Sequence, residues 1–484
     1  MLLSFTFNGI KKDFIIAERG KRRSAFAPIT RNLLKVPNMP GAYLQSSETD
    51  VRTITQPVVI NGADRFDVRK LEEEIASWLV TDEPKELIFD DEPDRVYFAV
   101  IDGSLEIEDI VRFGRGEIVF ICVDPYKYKG NIETAFFYTN PSLIMNEGTV
   151  EAFPIFRANV LAPITNLDII LDEDYMRVGQ PYTVDRTPVE AETVVFDDPL
   201  GSLNGWSQAE YVDNGHIEGE IGVDANGSFY PRLVGQVIEA GVWQGPSLKK
   251  SIGAELQDFK MEAIVELRNG AAEPGETGMI EIYLLDAVGN IVGKVGIEDY
   301  SRTSVETHFK AKAGDALEGV WFGDGRDKHW ENFFGAIRLE REGRDWYAYI
   351  GLIDKETRIR SWQLGSKRNV HFYDSQAKYQ NKIAQIQVSF RIFPESPKIP
   401  MFVHRLTVWR LNTVKNEEIP YIAYPGDLIE IDHQTNDIRV NGESRPFLKD
   451  FGAHFFPLKK GANPIFYLPS SGIEMNIEWR ERFL

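Results

Sequence analysis

Cysteine is all but absent: the 484 residues contain one, Cys122. A single thiol excludes an internal disulfide framework and a cysteine-built zinc site. It lies in the apolar run EIVFICVD with no histidine or second cysteine nearby, and so reads as a small buried hydrophobe. Basic charge is also short. Lys and Arg number 54 against 74 Asp and Glu, a formal net charge of -20. Gripping nucleic acid by neutralising phosphates needs the opposite balance. No apolar run approaches the ~18–20 residues that span a bilayer. The opening MLLSFTFNGI lacks a basic segment and meets an Asn-Gly turn too early for a signal peptide. It reads as a strand and a turn, in a protein made in a cytoplasm and not secreted.

Catalytic signatures are missing too. The seven histidines (His216, His308, His329, His371, His404, His433 and His454) show no HxH or HxxxH spacing that would hold a metal. There is no GxSxG elbow and no Walker loop. One stretch, GDLIEIDHQTNDIRVNGESRPF at 426–447, imitates two sites at once. Asp432, Gln434, Asn436 and Glu443 fall near the ligand positions of a calcium loop, but Asp437 stands where that loop needs glycine, and both flanks alternate like strands. Glu430 and Asp432 resemble the start of a glucanase acid motif, but Gln434 and Thr435 stand where a further carboxylate is required. The stretch reads as a β-hairpin turned by HQTND. No metal or cofactor is expected.

What the chain has is strands. Aromatics make up 12% of residues, and flat rings suit pleated, half-buried surfaces. At this length two to four domains are expected. The first stretch, to about residue 140, mixes strands with one helix, where DRFDVRKLEEEIASWLV sets Val68, Leu71, Ile75, Trp78 and Leu79 on one face. Asp82, Glu83 and Pro84 close it. Between Ile10 and Lys35 eight Lys or Arg face only Asp13 and Glu18: either a solvated loop or hairpin, or a contact for an acidic neighbouring subunit. From 141 to 195 the pattern is that of sandwich strands. From 196 to 412 it becomes repeated hairpins without a helix, the signature of a large antiparallel sandwich or jelly roll. Strand-and-turn patterning then runs from 413 to 484. The 141–195 and 413–484 segments are each too short for a core alone, so one sandwich split by an inserted jelly roll is the economical reading.

Seven of the nine tryptophans fall in the inserted stretch. Sugar-binding sandwiches use exposed rings, because the C–H face of a pyranose packs on a π-face while Asp, Asn and Arg bond its hydroxyls. VWFGDGRDKHWENF at 320–333 has that mixture: Trp321 and Trp330 with Asp324, Arg326, Asp327 and Asn332. Trp243 in GVWQGPSLKK is a second candidate. The alternative for these rings is the core, as read for Trp346 and Trp362. An acid site assembled from Glu281, Asp286 and Asp299 remains as the enzymatic alternative.

Three parts of the sequence together resemble a family. KVPNMPGAYL leading into TDVRTITQPVVI, the single helix, and YFAVIDG…GEIVFICVDPYKYK are similar to the N-terminal ring domain of the distal tail proteins of long, non-contractile-tailed phages of Gram-positive bacteria. EAFPIF at 151–156, PGDLIEIDHQTNDIRVNG and FFPLKKGANPI resemble the C-terminal galectin-like sandwich of the same family. The resemblance covers roughly the first 195 and last 70 residues. It implies a mainly β fold and a homo-hexameric ring at the tail tip, in the virion, with no enzymatic activity. The ring would join the tail tube protein to the tail-associated lysin of the tip and pass DNA without specific binding. The acidic chain suits such a channel. The insertion resembles the lectin-type, carbohydrate-binding sandwich of enlarged members, which implies host cell-wall polysaccharide as a partner. In such a ring Lys21, Arg22 and Arg23 are the candidate residues to meet the acidic FDDEPD turn of a neighbour. The competing reading is a tail-tip enzyme that degrades wall polysaccharide through acids of the insert.

Overall fold

The computed structural model describes residues 3–62, 65–106, 108–110, 113–233, 236–270, 276–364, 370–394 and 396–484. Among these residues strands dominate, and the chain organises around three large hydrophobic cores.

The N-terminal core is built by strands whose alternation sends every second side chain inward. Phe5–Phe7 pairs with Lys85–Phe89, which pairs with Arg95–Asp102; Phe113–Cys122 follows, then Arg52–Asn61 and Ile15–Ala17. The expected helix is present at Arg65–Leu79 and buries Val68, Ile75, Trp78 and Leu79. Trp78 stacks on Phe5 at 5.5 Å, and its indole N–H donates to the Phe7 carbonyl at 3.0 Å. That bond removes the cost of burying the indole's polar end. Cys122 is buried, and burial pushes its thiol up to about 12, so it is inert at neutral pH.

The basic stretch gives a correction. Lys21 pairs with Asp91 at 2.6 Å, Arg22 with Glu117 at 2.5 Å, and Arg23 with Glu92 and the Tyr97 hydroxyl. Lys21 and Arg23 therefore meet the acidic turn of their own chain, because folding brings them beside Asp91 and Glu92, while Arg22 meets Glu117 on Phe113–Cys122; none of the three is free for a neighbour's turn. The unpartnered feature lies just beyond them. Among the described residues, Ile29–Leu34 and Tyr43–Thr49 pair only with each other, and every residue of both strands is exposed.

The second core joins distant parts of the chain. Ile155–Val160 lies between Ile473–Trp479 and Leu428–Asp432, while Gly461–Leu468 lies between Ser142–Asn146 and Asn166–Leu171. Each sheet of this sandwich thus mixes segments from both sides of a long excursion. The 426–447 stretch is the hairpin expected of it, Leu428–Asp432 against Asp437–Val440, and Asp432 Oδ1 accepts from the Gln434 and Thr435 amides to hold the turn.

The excursion forms the third and largest core, between a nine-stranded and a seven-stranded sheet. Trp346 is buried there, as expected; the Trp362 side chain lies outside the described residues. Thr187–Val189 on the way out runs parallel to Glu418–Pro420 on the way back. A buried ion cluster docks the excursion on the split sandwich. Arg338 donates to Glu443 of the sandwich at 2.8 and 2.9 Å and to Glu262 at 2.8 Å, and Arg360 also grips Glu262 at 2.8 Å. Burial would raise the Glu262 carboxyl, but Arg360 and Arg338 bring it down to about 2.

Two predictions follow from this packing. Arg338→Met leaves Glu443 buried without its main partner, so calorimetry is expected to show a loss of about 3 kcal/mol or more. Adding Glu443→Gln should return part of that loss. The second concerns His433, caged by Phe156, Phe455 and Phe456, with the Phe456 amide donating to its Nδ1 at 2.8 Å. Burial lowers its pKa from 6.5 to about 4. The unfolded chain then binds a proton that the folded chain refuses, so stability falls as pH drops from 6.5 towards 4, by roughly 3 kcal/mol. Denaturant titrations of His433→Phe should lack this slope.

Candidate functional site

The site forms on the open face of the seven-stranded sheet. In Gly278–Leu285, Ile280, Ile282 and Leu284 enter the core, which leaves Met279, Glu281 and Tyr283 on the other side. In Ile291–Asp299, Val295 and Ile297 point inward while Lys294, Gly296 and Glu298 join the open face. In His308–Ala313, Phe309, Ala311 and Ala313 are core, so Lys310 and Lys312 face outward. Register aligns these side chains into rows: Glu281, Gly296, Lys310 and Asp324 in one, Tyr283, Lys294, Lys312 and Trp321 in the next. A Cβ on Gly296 would lie 2.7 Å from the Ile280 carbonyl oxygen, so the first row stays bare at its centre.

The result is a groove of about 580 Å³ with aromatic walls, Trp243, Tyr300, Trp321 and Phe393, over a charged floor. Glu281 accepts from Lys294 at 2.6 Å and from the Tyr283 hydroxyl at 2.7 Å, and pairs closely with Arg391. Asp213 Oδ2 lies 3.1 Å from Lys294 and 3.3 Å from Lys312, while Arg391 donates to the Asp213 carbonyl at 2.7 Å. Lys310 pairs with Glu298. Burial would raise the Glu281 carboxyl, but Arg391 and Lys294 outweigh it and hold it at about 2. Trp321 is 46% exposed, with Lys294 and Lys312 at 5.0 and 5.3 Å from its ring centre. Two buried polar atoms of the floor have no protein partner: Asp213 Oδ1, an acceptor, and Arg391 Nε, a donor. Such atoms cost free energy unless something from outside bonds them.

Of the residues singled out in the sequence, the fold brings Trp321 and Trp243 to this groove. Trp330 is a correction: it is 2% exposed and packs edge-on to Phe309 at 6.4 Å, closing the core behind the sheet, so no ligand reaches it. Asp327 caps the short turn Lys328–Trp330 by accepting from the His329 amide at 2.9 Å, and Asn332 Oδ1 accepts from the Gly270 amide. Arg326 pairs with Glu306 at 2.7 Å, and Asp324 sits exposed at the sheet edge beside Lys310. The polar members of 320–333 therefore shape a loop and an edge and do not line the groove.

Glu281, Asp286 and Asp299 do not converge. Asp286 holds a turn through the Val288 and Asn290 amides, and Asp299 is buried against Asn269. Elsewhere Ser228 Oγ lies 2.8 Å from His404 Nδ1, and His404 Nε2 lies 3.3 Å from Glu266. Ser228 is 2% exposed, however, with its amide tied to Asp224, so its hydroxyl presents no face to a substrate. Sequence reasoning missed Asp213, Lys294 and Arg391. A signal for two of them was present: charged residues at alternate positions in the otherwise apolar runs IVGKVGI and QVSFRIF.

Two segments match models of known domains. Residues 11–122 match the phage tail protein RIFT-related domain, and residues 396–483 match the C-terminal domain of the siphovirus-type tail component. They define a component of a phage tail. Within that class the two matched segments fit a distal tail protein in an enlarged form. No curated protein sequence matches it. Among solved structures, it is similar to the Dit protein (gp 19.1) of SPP1, described as a hub of the adsorption apparatus in phages infecting Gram-positive bacteria. That match has 18% identity and a TM-score of 0.34, covering 38% of this chain and 76% of that one. It is also similar to the CBM2 module of the evolved Dit of Lactobacillus casei BL23 phage J-1, at 15% identity, TM-score 0.38, and 47% and 100% coverage. A lectin from Bauhinia forficata in complex with GalNAc matches at 8% identity, TM-score 0.28, and 45% and 97% coverage.

Proposed function

We propose that this tail protein forms a homo-hexameric ring at the tail tip, joining tube to tip proteins, and that its inserted sandwich holds a saccharide of the host cell wall in the groove beneath Trp321. The observation that carries the binding half is the half-exposed Trp321 indole face set, with Trp243, Tyr300 and Phe393, around a groove whose floor is charged. A pyranose meets both needs at once, because its C–H face packs on the ring and its hydroxyls both donate and accept. Six weak sites on one ring add up to strong attachment when several engage together.

The chemistry of the groove favours holding over cutting. Glycoside hydrolysis needs one carboxylic acid kept protonated near neutral pH. Glu281, a buried carboxylate of the floor, is held at about 2 by two cations and stays ionised.

The assembly half is supported by the N-terminal domain. The hairpin Ile29–Leu34/Tyr43–Thr49 exposes Leu33, Leu34, Tyr43 and Leu44, and a two-stranded ribbon is barely stable alone in water. The same domain carries an apolar groove of about 400 Å³ beside the helix, lined by Ile75, Leu79, Val80, Ile101 and Leu105. An apolar protrusion and an apolar groove on one subunit are the two unlike surfaces that a head-to-tail ring needs.

Each half has its own test. In sedimentation on purified Gram-positive cell walls, Trp321→Ala should weaken retention of the full chain at least about tenfold, since truncating a central aromatic anchor costs ~2 kcal/mol or more. Trp330→Ala is expected to lower stability instead, and equal retention of Trp321→Ala and the parent protein would refute the groove. In light scattering, Leu33→Ser with Leu44→Ser should shift the parent oligomer to monomer while leaving the circular dichroism spectrum unchanged. A persisting oligomer would remove the hairpin from the interface.

A further inference from the structure

We infer that the glycan taken by the groove is anionic, carrying phosphate or carboxylate groups, and not a neutral sugar chain. This rests on the saccharide reading of the groove and adds the sign of the ligand's charge. The floor carries three acids, Asp213, Glu281 and Glu298, against four bases, Lys294, Lys310, Lys312 and Arg391. All but Lys310 are buried. Adding the exposed Arg302 over Phe393 at the rim and, beyond the groove's edge, Asp324 beside Lys310 leaves the balance at one extra positive charge.

Ordinary pairing does not remove this excess. Asp213 is shared between two lysines and Glu281 between Lys294 and Arg391, so the same two carboxylates serve three cations. A buried surplus charge is costly in a low-dielectric floor and is relieved by an incoming counter-charge. The surroundings sharpen the contrast, because the chain as a whole carries -20 and repels anions in general. A positive spot kept inside a groove on such a surface selects an anion that also brings apolar sugar faces for Trp321 and Trp243. Arg302 at the rim is held over the Phe393 ring at 4.6 Å and has no carboxylate partner among the described residues. Its guanidinium is therefore available for bidentate contact with a phosphate or carboxylate.

The test uses the full-length protein and three preparations of one Gram-positive cell wall: native, stripped of phosphodiester polymers with cold hydrofluoric acid, and reduced at its carboxyl groups. Retention on native walls, a loss of about tenfold or more after one treatment, and weakening of similar size between ~50 and ~500 mM salt are expected. The treatment that abolishes retention tells phosphate from carboxylate. Arg302→Gln should weaken retention about threefold and flatten the salt dependence, as one exposed ionic contact does. Trp321-dependent retention that survives both treatments and high salt would overturn the anionic ligand while leaving the groove as a neutral-sugar site. Retention indifferent to Trp321, or none on native walls, would overturn the saccharide reading and this inference with it.

Discussion

The fold depends on a single constraint: the sandwich made of residues 133–179 and 428–479 closes only when both sides of a long excursion are in place. Ile155–Val160 hydrogen-bonds to Leu428–Asp432 on one edge and to Ile473–Trp479 on the other, so its core cannot be completed by either half of the chain. Such distant pairings carry a loop-closure cost that grows only slowly with length, which makes a large insertion tolerable provided its ends come together. The parallel pair Thr187–Val189 and Glu418–Pro420 supplies that proximity. A sandwich with a core of its own then fills the loop, and the ion cluster around Arg338 fixes it against the host domain.

Charge is spent unevenly across the molecule. At the N-terminal turn, Lys21, Arg22 and Arg23 meet acids of their own chain in partly exposed pairs, which contribute little individually. At the docking surface and on the groove floor the charges are buried, where burial costs more than a pair usually returns unless hydrogen bonds satisfy the remaining atoms. The docking cluster meets that condition through the paired contacts of Arg338 and Arg360 with Glu262 and Glu443. The groove floor does not, since Asp213 Oδ1 and Arg391 Nε are left over. One cluster therefore reads as a fastener, while the other keeps buried polar atoms unpaired.

Much of the fold was legible from periodicity. The helix Arg65–Leu79 announced itself through Val68, Ile75, Trp78 and Leu79, and the hairpin at 428–440 through alternating flanks around HQTND. The mainly β, inserted-sandwich character followed from hairpin after hairpin without a helical repeat. The site was legible only in part. Trp321 and Trp243 stood out by residue type, but so did Trp330, and composition cannot tell a ring facing the core from its neighbour facing water. A 3-10 turn capped by Asp327 swings Trp330 inward, and that depends on the local backbone path. The meeting of Asp213 with Arg391 was invisible because it joins residues 213 and 391 through tertiary packing, which no local window contains. The basic stretch at 21–23 was misread for the same reason: its acidic partners lie about seventy to ninety-five residues away in the same chain.

The parallel pair at the neck of the insertion has a mechanical consequence. A module on one flexible tether would take any pull on its ligand at a single bond line and peel away one hydrogen bond at a time. Here two covalent connectors leave the sandwich side by side, cross-linked by Thr187 N–H to Glu417 O at 2.9 Å and Tyr421 N–H to Val189 O at 3.0 Å. Tension across the neck therefore divides between two connectors, one leading out and one leading back. Load placed on the groove passes through both connectors into two different segments of the split sandwich, the element that the rest of the chain must close around.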